Sequence, residues 1–96
     1  LFARATRIKS SPEQLEARMH LTREELITAA SKLDGFEGGV WLVDRETSRF
    51  LSVTFWQSKE QLRESEEPVG RLRELAMIKV GGTVESVERY EVVARI

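Results

Sequence analysis

Apolar positions fall in two rhythms along these 96 residues, and the places where one gives way to the other divide the chain. The opening stretch LFARATRIK, residues 1–9, sets Phe2, Ala3, Ala5 and Ile8 among polar neighbours and predicts a short strand. Ser10 or Ser11 then caps a helix whose first turn holds Pro12, with Glu13 and Glu16 near the positive end of its dipole. From about Pro12 to Lys32 the rhythm is helical. Leu15, Met19, Leu26, Ala30 and Leu33 fall within about one-sixth of a turn at 100° per residue, and Thr22 and Ala29 extend the stripe. Asp34-Gly35 ends that helix.

Alternation returns in FEGGVWLV, where Val40 and Leu42 face one way and Trp41 and Val43 the other. DRETSR is a polar hairpin turn, and FLSVTFW is its partner strand. Phe50, Ser52, Thr54 and Trp56 share one face of that strand; Leu51, Val53 and Phe55 share the other. Ser58, with Gln61 three residues on, forms a capping box, so a helix starts directly after Trp56. Pro68 is expected to interrupt this helix after Glu67. A second piece, VGRLRELAMIKV, carries Leu72, Leu75, Ala76 and Ile78 and stops at Gly81-Gly82. VESVERYEVVARI closes the chain as a β-branched and aromatic strand.

The order strand, helix, strand, strand, helix, strand predicts an α+β class. The expected form is a ferredoxin-like βαββαβ domain over residues 1–96, with an antiparallel sheet and both helical regions on one face. The opposite face would then expose Leu51, Val53 and Phe55, or their alternates, as an apolar patch. A second copy packed sheet against sheet is the expected cover, hence a homodimer. A chain this short also gains burial from association.

Composition narrows the function classes. Fifteen basic residues against 16 acidic ones leave a net charge of −1, so no electrostatic footprint for nucleic acid is expected. No apolar run approaches a membrane span, and Arg4, Arg7 and Lys9 interrupt any signal-peptide pattern, so a cytoplasmic location is the expectation. Without cysteine there is no thiolate nucleophile and no cysteine-ligated metal.

Few residues carry obvious chemistry. His20 is the single histidine, beside the apolar stripe rather than on it, and reads as a partly exposed structural side chain. Asp44 with Glu46, and Glu66 with Glu67, read as solvated charges, so no metal site is expected. No G-x-S-x-G elbow occurs, and the Gly38-Gly39 and Gly81-Gly82 pairs lack phosphate-loop spacing; they read as a bulge or close-packing site and a helix stop. An arginine at 71 or 73 aimed into a pocket could hold an anion or an enolate oxygen. Trp56 has two readings: a core residue whose indole N–H needs a partner, or a pocket wall that stacks on a planar ligand, with the Ser52 and Thr54 hydroxyls on the same face.

Taken together, LDGFEGGVWLVD, LSVTFWQSKEQLRESEEP and VERYEVVARI resemble the antibiotic biosynthesis monooxygenase-like family of dimeric α+β barrels. The resemblance covers nearly the whole chain and rests on short, mostly structural motifs. It implies a homodimer with facing sheets and a pocket between helices and sheet in each subunit. It also implies cofactor-independent monooxygenase chemistry on an aromatic phenol or quinone-like small molecule, as some members perform, or a non-catalytic small-molecule-binding or stress-related barrel. Trp56 matches the family's pocket tryptophan. Ser52 stands where the oxygenases often have Asn, and Leu62 where some have a pocket Tyr. The roles implied are catalytic for Trp56, Ser52 and Arg73, and ligand-binding for Thr54, Leu62 and Arg71. Haem degradation needs an axial histidine from the second helical region, which has none.

Overall fold

A computed structural model describes all 96 residues. Strand β1 (Phe2–Lys9) leads to helix α1 (Pro12–Leu21), a π-helical turn (Thr22–Leu26) and helix α2 (Ile27–Ser31). The hairpin β2 (Phe36–Asp44) and β3 (Arg49–Trp56) follows, then α3 (Lys59–Glu64), α4 (Glu66–Val80) and β4 (Thr83–Glu91). All pairings are antiparallel, in the spatial order β2-β3-β1-β4, which is the ferredoxin-like arrangement expected from the sequence. No helix is long and apolar enough to cross a membrane.

Register fixes which side chains meet the helices. Phe2, Arg4, Thr6 and Ile8 of β1 stand opposite Trp56, Thr54, Ser52 and Phe50 of β3. Trp41 and Val43 of β2 join the same face opposite Ser52 and Phe50. The core forms where this face meets α1: Ile8, Leu15, Met19 and Phe50 are buried together, and Trp41, Met77 and Val84 pack against them. Leu51, Val53 and Phe55 occupy the other face, with Val40 and Leu42 beside them and nearly half exposed at 46% and 49%.

Local chemistry sets the boundaries. Ser11, one of the two expected caps, accepts from the Gln14 N–H, and the Gln14 side chain returns the bond to the Ser11 N–H. Ser58 accepts from the Gln61 N–H and starts α3. In β2 the register slips between Phe36 and Gly39, and Gly38 takes a φ of 100° there. A Cβ on Gly39 would lie 2.7 Å from the Val53 carbonyl oxygen, so the bulge and the close approach occupy adjacent glycines.

Three boundaries differ from the sequence expectation. The second helical region breaks at Ser65, not at Pro68; Pro68 lies in the first turn of α4, where no intrahelical N–H bond is lost. The closing strand ends at Glu91 rather than running to Ile96: Glu91 pairs with Phe2, the Val92 N–H still reaches the Leu1 carbonyl, and no residue precedes Leu1 in the structure to carry the ladder on. The first long helix contains the π turn Thr22–Leu26, in which the Ile27 N–H reaches the Thr22 carbonyl.

Candidate functional site

The strand that carries Trp56 ends directly under α3 and α4, and the reason lies in its alternation. Phe50, Ser52, Thr54 and Trp56 face the helices, so two hydroxyls and two aromatic rings line one side of the gap between layers. Leu72, Arg73 and Ala76 of α4 line the cavity as well, as do Arg18, Thr22 and Leu26 of the first helical region. The cavity has an interior of about 90 Å³, and about 620 Å³ of atom-free space when its mouth is included.

Trp56 is wholly buried, yet it forms part of the cavity wall. Its ring is held between Phe36, edge-on with centroids 5.5 Å apart, and the Arg4 guanidinium 5.5 Å from the ring centroid. Its Nε1–H donates to Thr54 Oγ1 at 3.0 Å. Thr54 therefore spends an acceptor lone pair on the indole and lines the cavity itself. Ser52 and Arg73 line the same space. Burial lowers the Arg73 pKa, with Glu66 opposing the shift.

Two residues singled out from sequence are not brought to this cavity. Leu62 is buried on α3 and lines a separate groove with Phe2, Lys59 and Arg63, because the helix turns its side chain towards the start of β1. Arg71 is exposed and pairs with Glu67 one turn back, at 2.6 Å. Between the two arginines considered, Arg73 reaches the cavity and Arg71 does not. His20 is exposed on α1. No group of three metal-ligating side chains comes together.

Two buried arginines were missed by the sequence reading. Arg4, 1% exposed, donates from Nη2 to the Leu62 carbonyl and to Ser65 Oγ, and lies 3.3 Å from Glu66. Glu66 also receives two hydrogen bonds from Arg89. That pairing, with Arg4 adding to it, pulls the Glu66 pKa down to about 2. Arg18, 2% exposed, donates from Nη2 to the Gly81 carbonyl at 2.9 Å and sits 5.8 Å from the Phe50 ring centroid. Gly81, at φ 74°, takes the conformation that ends α4 and presents that carbonyl. Both arginines were legible in principle. Arg4 holds an inward position in the alternation of β1, and Arg18 falls three residues after Leu15 and four before Thr22 on the helical stripe.

No protein-family profile matches the chain. Two curated Mycobacterium tuberculosis proteins match almost all of it. The uncharacterized protein Rv2557 is 30% identical over 94 residues, 98% of this chain and 42% of its own length. The uncharacterized protein Rv2558 is 28% identical over 92 residues, 96% of this chain and 39% of its own. The chain thus spans about two-fifths of these relatives. Among solved structures, an antibiotic biosynthesis monooxygenase-family protein from Deinococcus radiodurans superposes with a TM-score of 0.79 at 16% identity, covering 100% of this chain and 96% of that one. The Streptomyces coelicolor monooxygenase ActVA-Orf6, solved with the ligand Nanaomycin D, gives 0.72 at 13% identity over 99% and 90% of the two chains. A dimeric ferredoxin-like protein from an uncultured marine organism gives 0.72 at 19% identity over 99% and 96%. At these identities the likeness establishes the fold, and the chain has the antibiotic biosynthesis monooxygenase-like fold.

Proposed function

We propose that the chain is a cofactor-independent monooxygenase acting on an aromatic phenol or quinone-like molecule, working as a homodimer in the cytoplasm. One observation carries this reading: Trp56, Ser52, Thr54 and Arg73 converge on one apolar cavity between the sheet and α4. The fold it shares with monooxygenases such as ActVA-Orf6 supports it.

The chemistry asks little of the protein beyond placement and charge. An electron-rich phenolate can reduce dioxygen directly, so a site that desolvates the ring, orients it and holds its oxygen can suffice. Overall, a ring methylene (the keto tautomer of the phenol) becomes a carbonyl. Dioxygen supplies the carbonyl oxygen, and the two hydrogens leave with its other atom as water. Arg73 adds to the positive charge that steadies the negative oxygen, Ser52 and Thr54 donate hydrogen bonds, and Trp56 walls the ring. The interior is small even for one ring, so a larger substrate would leave its remaining rings in the mouth.

A second reading is a binding barrel without turnover. The cavity lining includes no carboxylate, histidine or tyrosine to act as a general base, which favours it. Oxygen uptake by the metal-stripped protein with hydroquinones, naphthols and anthrones separates the two. The oxygenase should consume oxygen in proportion to enzyme, and Trp56→Phe and Ser52→Ala should lower the rate by about tenfold or more. Tight binding of an aromatic with no uptake across the panel would leave the binding barrel.

A further inference from the structure

One end of the cavity is built differently from the rest. Arg18 and Thr22 lie one helical turn apart at the junction of α1 and the π turn, and both face the cavity. They are 2% and 3% exposed. Arg18 uses Nη2 on the Gly81 carbonyl, but its Nε–H has no hydrogen-bond partner, and neither has Thr22 Oγ1. A threonine in a helix can turn its hydroxyl back onto the carbonyl four residues earlier. Thr22 does not, so its proton is also uncommitted.

Such groups are costly to bury. An unpaired polar atom forfeits its hydration, and an unpaired charge forfeits far more. Arg4, the other buried guanidinium, has Glu66 beside it. Arg18 has no carboxylate: burial alone acts on it, and no acid lines the cavity. A second guanidinium, Arg73, faces the same space. Two cations and a free hydroxyl around an otherwise apolar cavity are complementary to one negative charge on a flat apolar body. Trp41, Phe50 and Trp56 contribute aromatic side chains to the wall around that body. Its size is bounded as well. The 90 Å³ interior is smaller than the roughly 150 Å³ apolar cavity that accepts benzene, so a single ring fills it as the walls ease outward.

We propose that Arg18 Nε and Thr22 Oγ1 form an oxyanion-binding end to this cavity, and that the ligand is a single-ring aromatic monoanion, a carboxylate or a phenolate. The inference rests on the reading of this cavity as the ligand site and adds the charge and size of what enters it. The Arg18 fork and the Thr22 hydroxyl would each donate to the anion, in the way guanidinium groups hold carboxylates.

Tryptophan fluorescence and calorimetry on the full chain test this with two pairs of probes. Benzoate is compared with neutral benzyl alcohol, and pentafluorophenol, ionised at neutral pH, with phenol, which is not. The two pairs also tell a carboxylate preference from a phenolate one. Each anion should bind at least about tenfold more tightly than its neutral partner. Arg18→Met should remove about tenfold or more of the anion affinity, and Thr22→Val about fivefold. If Arg18→Met does not fold, Thr22→Val and the wild-type comparison still decide. Equal affinity for charged and neutral probes, or no binding of either anion, overturns the proposal. Anion binding that requires Arg18 in a protein without oxygen uptake keeps this site and removes the oxygenase. Oxygen uptake with neutral phenols and no anion binding does the reverse.

Discussion

Arg4 and Glu66 illustrate how single side chains fix the cavity from behind. Arg4 presses its guanidinium on the back of Trp56 while Glu66 ties Arg4 to Arg89. The carboxylate is stabilised as an anion by that company, with its pKa drawn from the usual 4.5 to about 2. The sign of the consequence is fixed. The folded state holds the Glu66 proton more weakly than the unfolded state, so the stabilisation is fully present above about pH 4.5 and is lost as pH falls towards 2. Urea titrations at pH 6, 4 and 2.5 should show the wild-type midpoint falling more steeply with acid than that of Glu66→Gln. Parallel slopes would mean that Glu66 gains nothing from Arg89 and Arg4. The shared face of Trp56 and Thr54 was readable beforehand because strand alternation places them together. The placements of Leu62 and Arg71 were not: Leu62 sits on the short α3 before the break at Ser65 and Arg71 on α4 after it, so each follows its own helix phase, and Pro68 suggested a different break.

At the scale of elements, the π turn is the feature that periodicity could not reveal. The apolar positions from Leu15 to Leu33 fit a continuous α-helix, and no proline or glycine marks the change. Yet the Ile27 N–H bonds five residues back, to Thr22, and this widened turn starts at one of the two orphan groups of the cavity. Such turns are rare and cluster at functional sites. One extra residue in the turn is what a single deletion can remove. Deleting exposed Glu24 should restore bonding four residues back, raise the thermal midpoint and weaken binding of an aromatic ligand. The deletion should cost more affinity than Glu24→Ala, which keeps the turn. Circular dichroism melts and the fluorescence titration of both variants check it, and equal affinity in the two would separate the turn from the site.

The whole molecule leaves one apolar surface largely without a cover, with the Arg95 guanidinium over the Phe55 ring, 5.5 Å from its centroid. Antiparallel sheets tolerate water on one side when that side is polar. Here Leu51, Val53 and Phe55 are only half-buried, and Val40 and Leu42 beside them are more exposed still. Towards β4 the same face becomes polar: Arg7 pairs with Glu88, and Tyr90 donates to Glu88. An apolar centre with a charged edge is the anatomy of a specific interface, and a face of one small sheet can supply the roughly 800 Å² per partner that a stable one needs. Alternation had already assigned Leu51, Val53 and Phe55 to this face; what it could not supply was the contribution of Val40 and Leu42, which depends on the β2–β3 register set by the Gly38-Gly39 bulge. The homodimer proposed above predicts that Val53→Lys, at the centre of the patch, converts the species seen by light scattering at micromolar concentration from dimer to monomer. Arg45→Ala, on the hairpin turn away from this face, should leave it dimeric. Because a dimer is stabilised by mass action, the wild-type thermal midpoint should rise with protein concentration and that of Val53→Lys should not. A wild-type monomer with a concentration-independent midpoint would require some other cover for the face, and the two-subunit barrel would go with it.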